Sequence, residues 1–564
     1  MGAVLSGRRA GWIGGIALVI GLGATAGIDS AGPKFYDDDP IARVPEKQDA
    51  SSAQEQEIDL IADLFVNLFS KPGDTALDVR ALNVNTIDEV PDSSWFTNRI
   101  YARPLTVEEL MRGPNTGDGP AGHLTVIRGK TAGAAPGFTV RDEKEQVWFL
   151  SFDPEGNPRA ATAAVAVSCR LFWALGYHQI ESHLTVVRRD ALAMSESARF
   201  EPRPGYTRRM TMNDVERVLD RAAESPDGSY RAVAGRAVPG KPLGGFRYYG
   251  TRPDDPNDIV PHEHRRELRA LKVFGAWTNL VDMKAGNTLD SLVTENGRGV
   301  IRHYLQDVGS TFGIGANGPH QWDEGHEYLY EGTHVWKRLL SFGFYLRPWQ
   351  VVPFVEHPEI GRIEEEQGFN PEGWRTRVPN AAVVRARDDD TFWAALRVAA
   401  FSDEMIREVV KAGQFEDPAA ATLLADILIK RRNRIAEVYL TKINPLVGFA
   451  LSDGDGLTFR NAAVQGGVAK APSGGYRADW FRFDNATSQP SPLGAPTTGS
   501  DERLRAPDLP QAQGSFVKVQ VSASDPAHPS WSTPVDVYFR RVSGAWKLVG
   551  VERLPAGVGT KPGT

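Results

Sequence analysis

Asn279-Leu-Val-Asp-Met-Lys-Ala-Gly-Asn-Thr-Leu289 and, further on, His303-Tyr-Leu-Gln-Asp-Val-Gly-Ser-Thr-Phe-Gly313 decide how this chain is read. The first stretch sets Asp282 and Asn287 in a D-x4-N spacing; the second puts Asp307 at the head of a D-x-G. Phosphoryl transfer uses a loop of this kind, with a base Asp and a metal-binding Asn, followed by a D-x-G whose Asp makes the other metal contact. Together the two stretches imply a phosphoryl-transfer site or the remains of one.

Working outward, the flanking patterns supply a small sheet before the loop and helices after it. His123–Gly129 reads as a strand, and Thr131–Gly137 as a loop of small residues. Phe138–Arg141 and Gln146–Phe152 form a hairpin around the polar turn Asp142–Glu145. A helix follows over Pro158–Leu175, with Ala164, Val167, Leu171 and Leu175 at core spacing and Gly176 as its C-terminal cap. Arg265–Leu280 is helical and leads into the Asp282 loop. Arg302–Leu305 is a short strand ending at Asp307. Gly315–Gly373 is irregular and lies where a substrate-binding or activation-type segment belongs. Asp390–Val410 and Pro418–Leu440 are helical runs.

Both ends differ from this middle. Residues 1–30 carry Arg8-Arg9, an apolar Trp12–Ala24 run and the small residues Ala24-Thr-Ala26. That is the pattern of a signal peptide, the run being short for a span of ~20 residues. The chain is therefore expected to be exported, periplasmic or at the cell surface; the alternative is anchoring by an uncleaved N-terminal segment, and any membrane association is expected through that segment alone. Residues 31–118 read as an extension with one amphipathic helix in Glu55–Phe69 and a polar segment, Leu82–Arg99, that wraps over another domain. Past Pro445 come Leu446–Phe459, Arg477–Phe483, Phe516–Ser522, Val535–Arg541 and Trp546–Val551, short strands with a hairpin turn at Ser543-Gly544. They predict an all-β, sandwich-like C-terminal domain over residues 446–564.

Composition excludes several classes. A net charge of -7 argues against a nucleic-acid partner, which calls for a concentrated basic surface. The single cysteine, Cys169, excludes an intramolecular disulfide, and its apolar surroundings make it a buried small hydrophobe. His262, His264 and His303 are too poorly spaced for a metal site, and Asp453-Gly-Asp-Gly456 is a tight turn rather than a calcium loop. A hydrolase reading fails, because Ser151, Ser168 and His178 form no G-x-S-x-G pattern.

Roughly residues 119–440 resemble the atypical kinases related to the spore-coat protein H and HipA groups. The resemblance is carried by Gly129-Lys-Thr-Ala-Gly133 with Pro136-Gly-Phe138, by Phe149-Leu-Ser-Phe-Asp-Pro154 and by Trp173-Ala-Leu-Gly-Tyr177. Asp282, Lys284, Asn287 and Asp307-Val-Gly309 complete it. It implies an α+β fold: a two-lobed kinase-like core over 119–445, with a small lobe at 119–190 and a large lobe at 191–445. It implies ATP and Mg2+ as cofactors and a protein or envelope substrate. Asp282 would take the proton of an attacking hydroxyl, and Lys284 would offset phosphoryl charge. Asn287 and Asp307 would hold the metal, and Gly129, Lys130, Gly133 and Gly137 would bring backbone N–H groups to phosphates.

The chain departs from that family at two places. The strand lysine is replaced by Ser151, and its helix glutamate by Val165. Losing both avoids a buried unpaired charge, and Lys130 is the nearest cation that could substitute. Three readings stay open: an active kinase, a pseudokinase that binds a ligand or partner, or a structural envelope protein whose working part is the C-terminal β-domain.

Overall fold

In the computed structural model, residues 32–76, 78–129, 135–203 and 206–554 are described. The signal-peptide reading of residues 1–30 and the calls on Lys130 and Gly133 lie outside them.

Helices α1 (Leu60–Phe69) and α2 (Val107–Arg112) belong to the N-terminal extension. The chain then enters β1 (Leu124–Gly129), β2 (Gly137–Arg141) and β3 (Val147–Phe152), followed by α3 (Ala160–Leu175). Next come β4 (Ser182–Arg188), β5 (Leu192–Arg203), β6 (Tyr206–Arg209), α4 (Met212–Leu219) and β7 (Ser229–Arg236). These strands make one seven-stranded sheet, ordered β4-β7-β3-β2-β1-β5-β6. Its strands are antiparallel to their neighbours except for the parallel pair β1–β5. The expected boundary at residue 190 therefore falls inside the sheet. β5 to β7 extend it to Arg236, because β7 inserts between β3 and β4 and so satisfies both their edges.

Alternation along β3 gives the sheet two faces. Trp148, Leu150 and Phe152 point into a core with Val126, Phe138 and Val140 that α4 closes through Val215 and Val218. Phe149 and Ser151 take the opposite face, to which α3 belongs. Asp153 locks α3 to the end of β3: its carboxylate accepts from Thr162 N and Thr162 Oγ1, each at 2.8 Å.

Beyond β8 (Lys241–Pro242), α5 (Arg266–Arg269) and α6 (Leu271–Thr278) divide the expected 265–280 helix. The hairpin of β9 (Thr288–Glu295) and β10 (Arg298–Leu305) follows, turning at Asn296-Gly297, both at positive φ. Then come α7 (Gly332–Leu340), α8 (Ala381–Val384), α9 (Asp388–Ala399), α10 (Asp403–Lys411) and α11 (Pro418–Leu440). The single run expected over 390–410 is two helices, because Ser402 caps a new start by accepting from Met405 N.

The C-terminal region is β-rich, with a three-stranded and a six-stranded sheet. Its apolar residues, among them Leu446, Trp480, Val519 and Trp531, belong to the same continuous core as α6, α9 and α11. The extension does wrap. The Trp95 ring stacks on His303 at 3.6 Å, and Arg265 lies over its other side at 4.3 Å. Beneath it the buried Arg266 donates to Asp88 of the extension and to Asp389 and Asp390 of α9.

Candidate phosphoryl-transfer site

Helix α6 stops at Asn279, which takes the left-handed conformation (φ 56°) that asparagine tolerates better than most residues. The chain leaves the helix there and runs through Asp282 to a single turn at Ala285–Asn287. Asn287 then organises the loop. Its side-chain amide donates to the Asp282 carbonyl oxygen at 2.7 Å. Its own carbonyl accepts from Gln306 N and Asp307 N, both at 3.0 Å. The D-x4-N and the D-x-G, separated in sequence by the β9–β10 hairpin, are thus joined backbone to backbone. Asn287 Nδ2 is turned to the loop, which leaves its Oδ1 as the available ligand.

Asp307 is exposed, and its Oδ1 accepts from Gly309 N at 3.0 Å. Lys284 Nζ sits 2.8 Å from Asp282 Oδ2, so the lysine neutralises the carboxylate expected to act as base. The strand that precedes the glycine loop ends at Gly129, and Gly137 begins the next one, paired with Ser151. A Cβ on Gly129 would lie 2.6 Å from Phe200 Cδ2, so packing alone requires glycine there.

Val165 is located by the same kind of argument. A Cβ on Gly309 would meet Val165 Cγ2 at 2.8 Å, so the α3 position where the resemblance places a glutamate lies directly on the D-x-G. One turn further along α3, the Ser168 hydroxyl is 2.9 Å from the Val308 carbonyl oxygen and 2.6 Å from that of Ala164. α3 and Asp307-Val-Gly309 are therefore fastened by van der Waals contact and one hydrogen bond, with no ion pair between them among the described residues.

Several residues at the site were not legible in the sequence. His320 is fully buried, with Nδ1 3.4 Å from Asn279 Nδ2 and Nε2 3.1 Å from Ser310 Oγ. It links the start of the Asp282 loop to the residue after the D-x-G. Burial pushes its pKa down to about 4, against the pull of Glu364. Glu364 is itself raised by burial, but Arg431 and His326 outweigh that and hold it at about 2. Nothing in the motif spacing pointed to His320; a histidine in a Gly-rich stretch carries no signal until the fold closes. The β9–β10 hairpin did have a signal, the Asn296-Gly297 turn.

On the open side of the loop, Asp282, Met283 and Lys284 line a cavity of about 360 Å³ with Tyr248, the 377–380 segment and Leu60, Ile61 and Leu64 of α1. That volume suits a small ligand or side chain. Burial and the nearby Asp282 charge both raise the Tyr248 pKa, so its hydroxyl stays protonated as a donor. Arg377 is held by Asp323 at 2.8 Å. The apolar residues of α1 line this cavity or remain exposed, and Asp63 is the helix's one buried residue.

Among the described residues there is no cluster of three or more His, Cys, Asp or Glu side chains that could hold a metal. His262 and His303 are engaged by Asp258 and Asp290, and His264 by Asp74. Asn287 and Asp307 fit the different requirement of Mg2+, which takes one or two protein oxygens together with substrate phosphates. Cys169 is buried, and burial pushes its thiol up to about 11.

No known family matches this chain, and no curated protein does. Two solved structures show a slight likeness. One, the Golgi casein kinase, is 10% identical with a TM-score of 0.29, covering 72% of this chain and 94% of that one. The other, the Golgi casein kinase with Mn/ADP bound, is 11% identical with a TM-score of 0.31, covering 71% and 94%. The reading of the site rests on its own contacts.

Proposed function

We propose that the chain is a kinase-like phosphotransferase that moves the γ-phosphoryl group of ATP to a hydroxyl of a protein or envelope substrate. The reading is carried by one observation: the Asn287 carbonyl receives the Asp307 N–H while the Asn287 amide holds the Asp282 carbonyl. Those two bonds join the backbone segments that carry the candidate base, Asp282, and the two candidate oxygen ligands, Asn287 and Asp307. When bound, a magnesium nucleotide would supply the phosphoryl group and neutralise its charge, held by Asn287 and Asp307. Asp282 would accept the proton of the attacking hydroxyl as its oxygen bonds to the γ-phosphorus and the bond from that phosphorus to the bridging oxygen breaks, releasing ADP. Lys284 holds the Asp282 carboxylate in place and brings positive charge to the same side. The cavity beside Asp282 would admit the hydroxyl-bearing group, with Tyr248 able to donate to it.

Asp282→Asn tests the assignment. With labelled ATP and magnesium, transfer to a substrate or to the protein itself should fall by about 10²–10⁴-fold. Unchanged transfer would sink it.

A second reading, a nucleotide-binding pseudokinase, is favoured by Ser151 and by the contact of Val165 with Gly309. No carboxylate from α3 can serve a strand lysine there, and losing a charge-assisted contact costs about 1.5–3 kcal/mol. Tight magnesium–nucleotide binding with no turnover would select this reading; turnover would remove it. In both readings the proposed setting is outside the cytoplasm, on the strength of Arg8-Arg9 and the Trp12–Ala24 run. Cell fractionation would test that.

A further inference from the structure

Beside the Asp282 cavity lies an apolar surface that the phosphoryl-transfer reading does not use. Helix α7 has no buried residue. Val335, Trp336, Leu339 and Leu340 form one exposed stripe at helical spacing, and the chain after it raises Phe342 and Phe344 into solvent, 92% and 88% exposed. The surface continues onto α1, because the Tyr330 ring meets Phe69 at 5.4 Å and Phe69 lies 5.9 Å from Phe65. Large contiguous apolar patches are uncommon on free protein surfaces and mark contacts with something else.

The chemistry of the patch selects its occupant. Lys337 and Arg338 share α7 with the apolar stripe, and neither has an ion pair among the described residues. A short helix with aromatic and aliphatic residues on one side and cations outside any ion pair on the other, Lys337 lying 5.5 Å over the Tyr345 ring, suits an interface of acyl chains and anionic headgroups. Phe342 and Phe344 project singly rather than lining a groove. A fluid phase can close around such side chains, whereas a folded partner would need matching pockets. We propose that α7, the 341–346 turn and the outer face of α1 dock onto an anionic lipid surface. This contact is additional to the N-terminal segment, through which alone membrane association was expected. Since Leu60, Ile61 and Leu64 of α1 line the cavity, docking sets the cavity mouth beside the headgroups. The docking is independent of phosphoryl transfer and is measured without nucleotide.

The full chain offers a clean probe, because Cys169 is its only cysteine and is buried. An environment-sensitive dye is placed on Phe344→Cys and, as a second position should the first variant fold poorly, on Leu340→Cys. Ser500→Cys in the C-terminal region is the control. With vesicles of phosphatidylcholine and phosphatidylglycerol, emission from the dye at 344 or 340 should shift to the blue and be quenched by nitroxide-labelled acyl chains. The control dye should show neither change. Lys337→Gln with Arg338→Gln should weaken partitioning about 25-fold, at about fivefold per cation lost near an anionic surface. A dye at 344 and 340 that stays in water while the protein sediments with vesicles would overturn the proposal, since the N-terminal segment alone would then account for binding. So would a blue shift that appears without lipid and grows with protein concentration, which identifies a second copy as the occupant.

Discussion

Gly309→Ala tests the position of α3 over the D-x-G more directly than any loss of activity. The added methyl would sit 2.8 Å from Val165 Cγ2 and 3.2 Å from Asp307 Oδ1. Carbon pairs rest at about 3.5–4.0 Å, so the helix and the segment must part by about 0.7–1.2 Å. Valine in a helix has one strongly preferred rotamer and cannot swing aside cheaply. Overpacking of this kind costs about 1–3 kcal/mol. Val165→Ala alone, at a half-buried site, should cost about 1 kcal/mol from lost apolar burial. In the double variant the clash is gone, so the total should fall short of the sum by about 1–2 kcal/mol. Urea unfolding followed by circular dichroism measures all three, provided the slope with urea is unchanged. Additivity within about 0.5 kcal/mol would refute the contact and, with it, the placement of Val165 at the glutamate position.

Asp307→Ala should abolish magnesium-dependent nucleotide binding with little effect on melting temperature, because the side chain is exposed; calorimetry with and without magnesium checks it. Acid should destabilise the protein through two buried histidines. Burial drives the His178 pKa down to about 3 and the His320 pKa down to about 4. The unfolded chain therefore binds more protons below about 6.5, and stability is lost as pH falls from about 6.5 towards 4.5, at up to ~2–3 kcal/mol per pH unit for the two together. Urea midpoints across that window should flatten in a His178→Gln, His320→Gln variant. Arg266→Leu leaves Asp88, Asp389 and Asp390 buried without their shared cation and should cost about 3–5 kcal/mol, read as a lowered denaturation midpoint.

Legibility differed by kind of feature. The β2–β3 hairpin and α3 were visible because Asp142–Glu145 and Gly176 punctuate clear periodicities, and α11 because Asp417 and Pro418 open it. α9 and α10 merged in the sequence reading, since an apolar rhythm continues across a cap that only Ser402 betrays. The sheet's extent was misjudged at residue 190 because β7 pairs with β3 and β4 across a long separation, and strand pairing leaves no local mark. Helix α1 was legible as an amphipathic helix from its apolar spacing, but not what its apolar face meets.

By itself, the sequence set Asp282, Asn287 and Asp307 at the spacing on which the proposed phosphoryl-transfer site rests, and Ser151 and Val165 where a charged clamp was expected. Only the tertiary structure decided that Asn287 holds both halves of the site, that His320 ties the loops together and that Val165 rests on Gly309. It also decided that the apolar stripes of α1 and α7 stay uncovered beside Asp282. The reason is physical. Spacing along a chain fixes which residues share a face, but what that face meets is set by backbone contacts and packing between segments far apart in sequence.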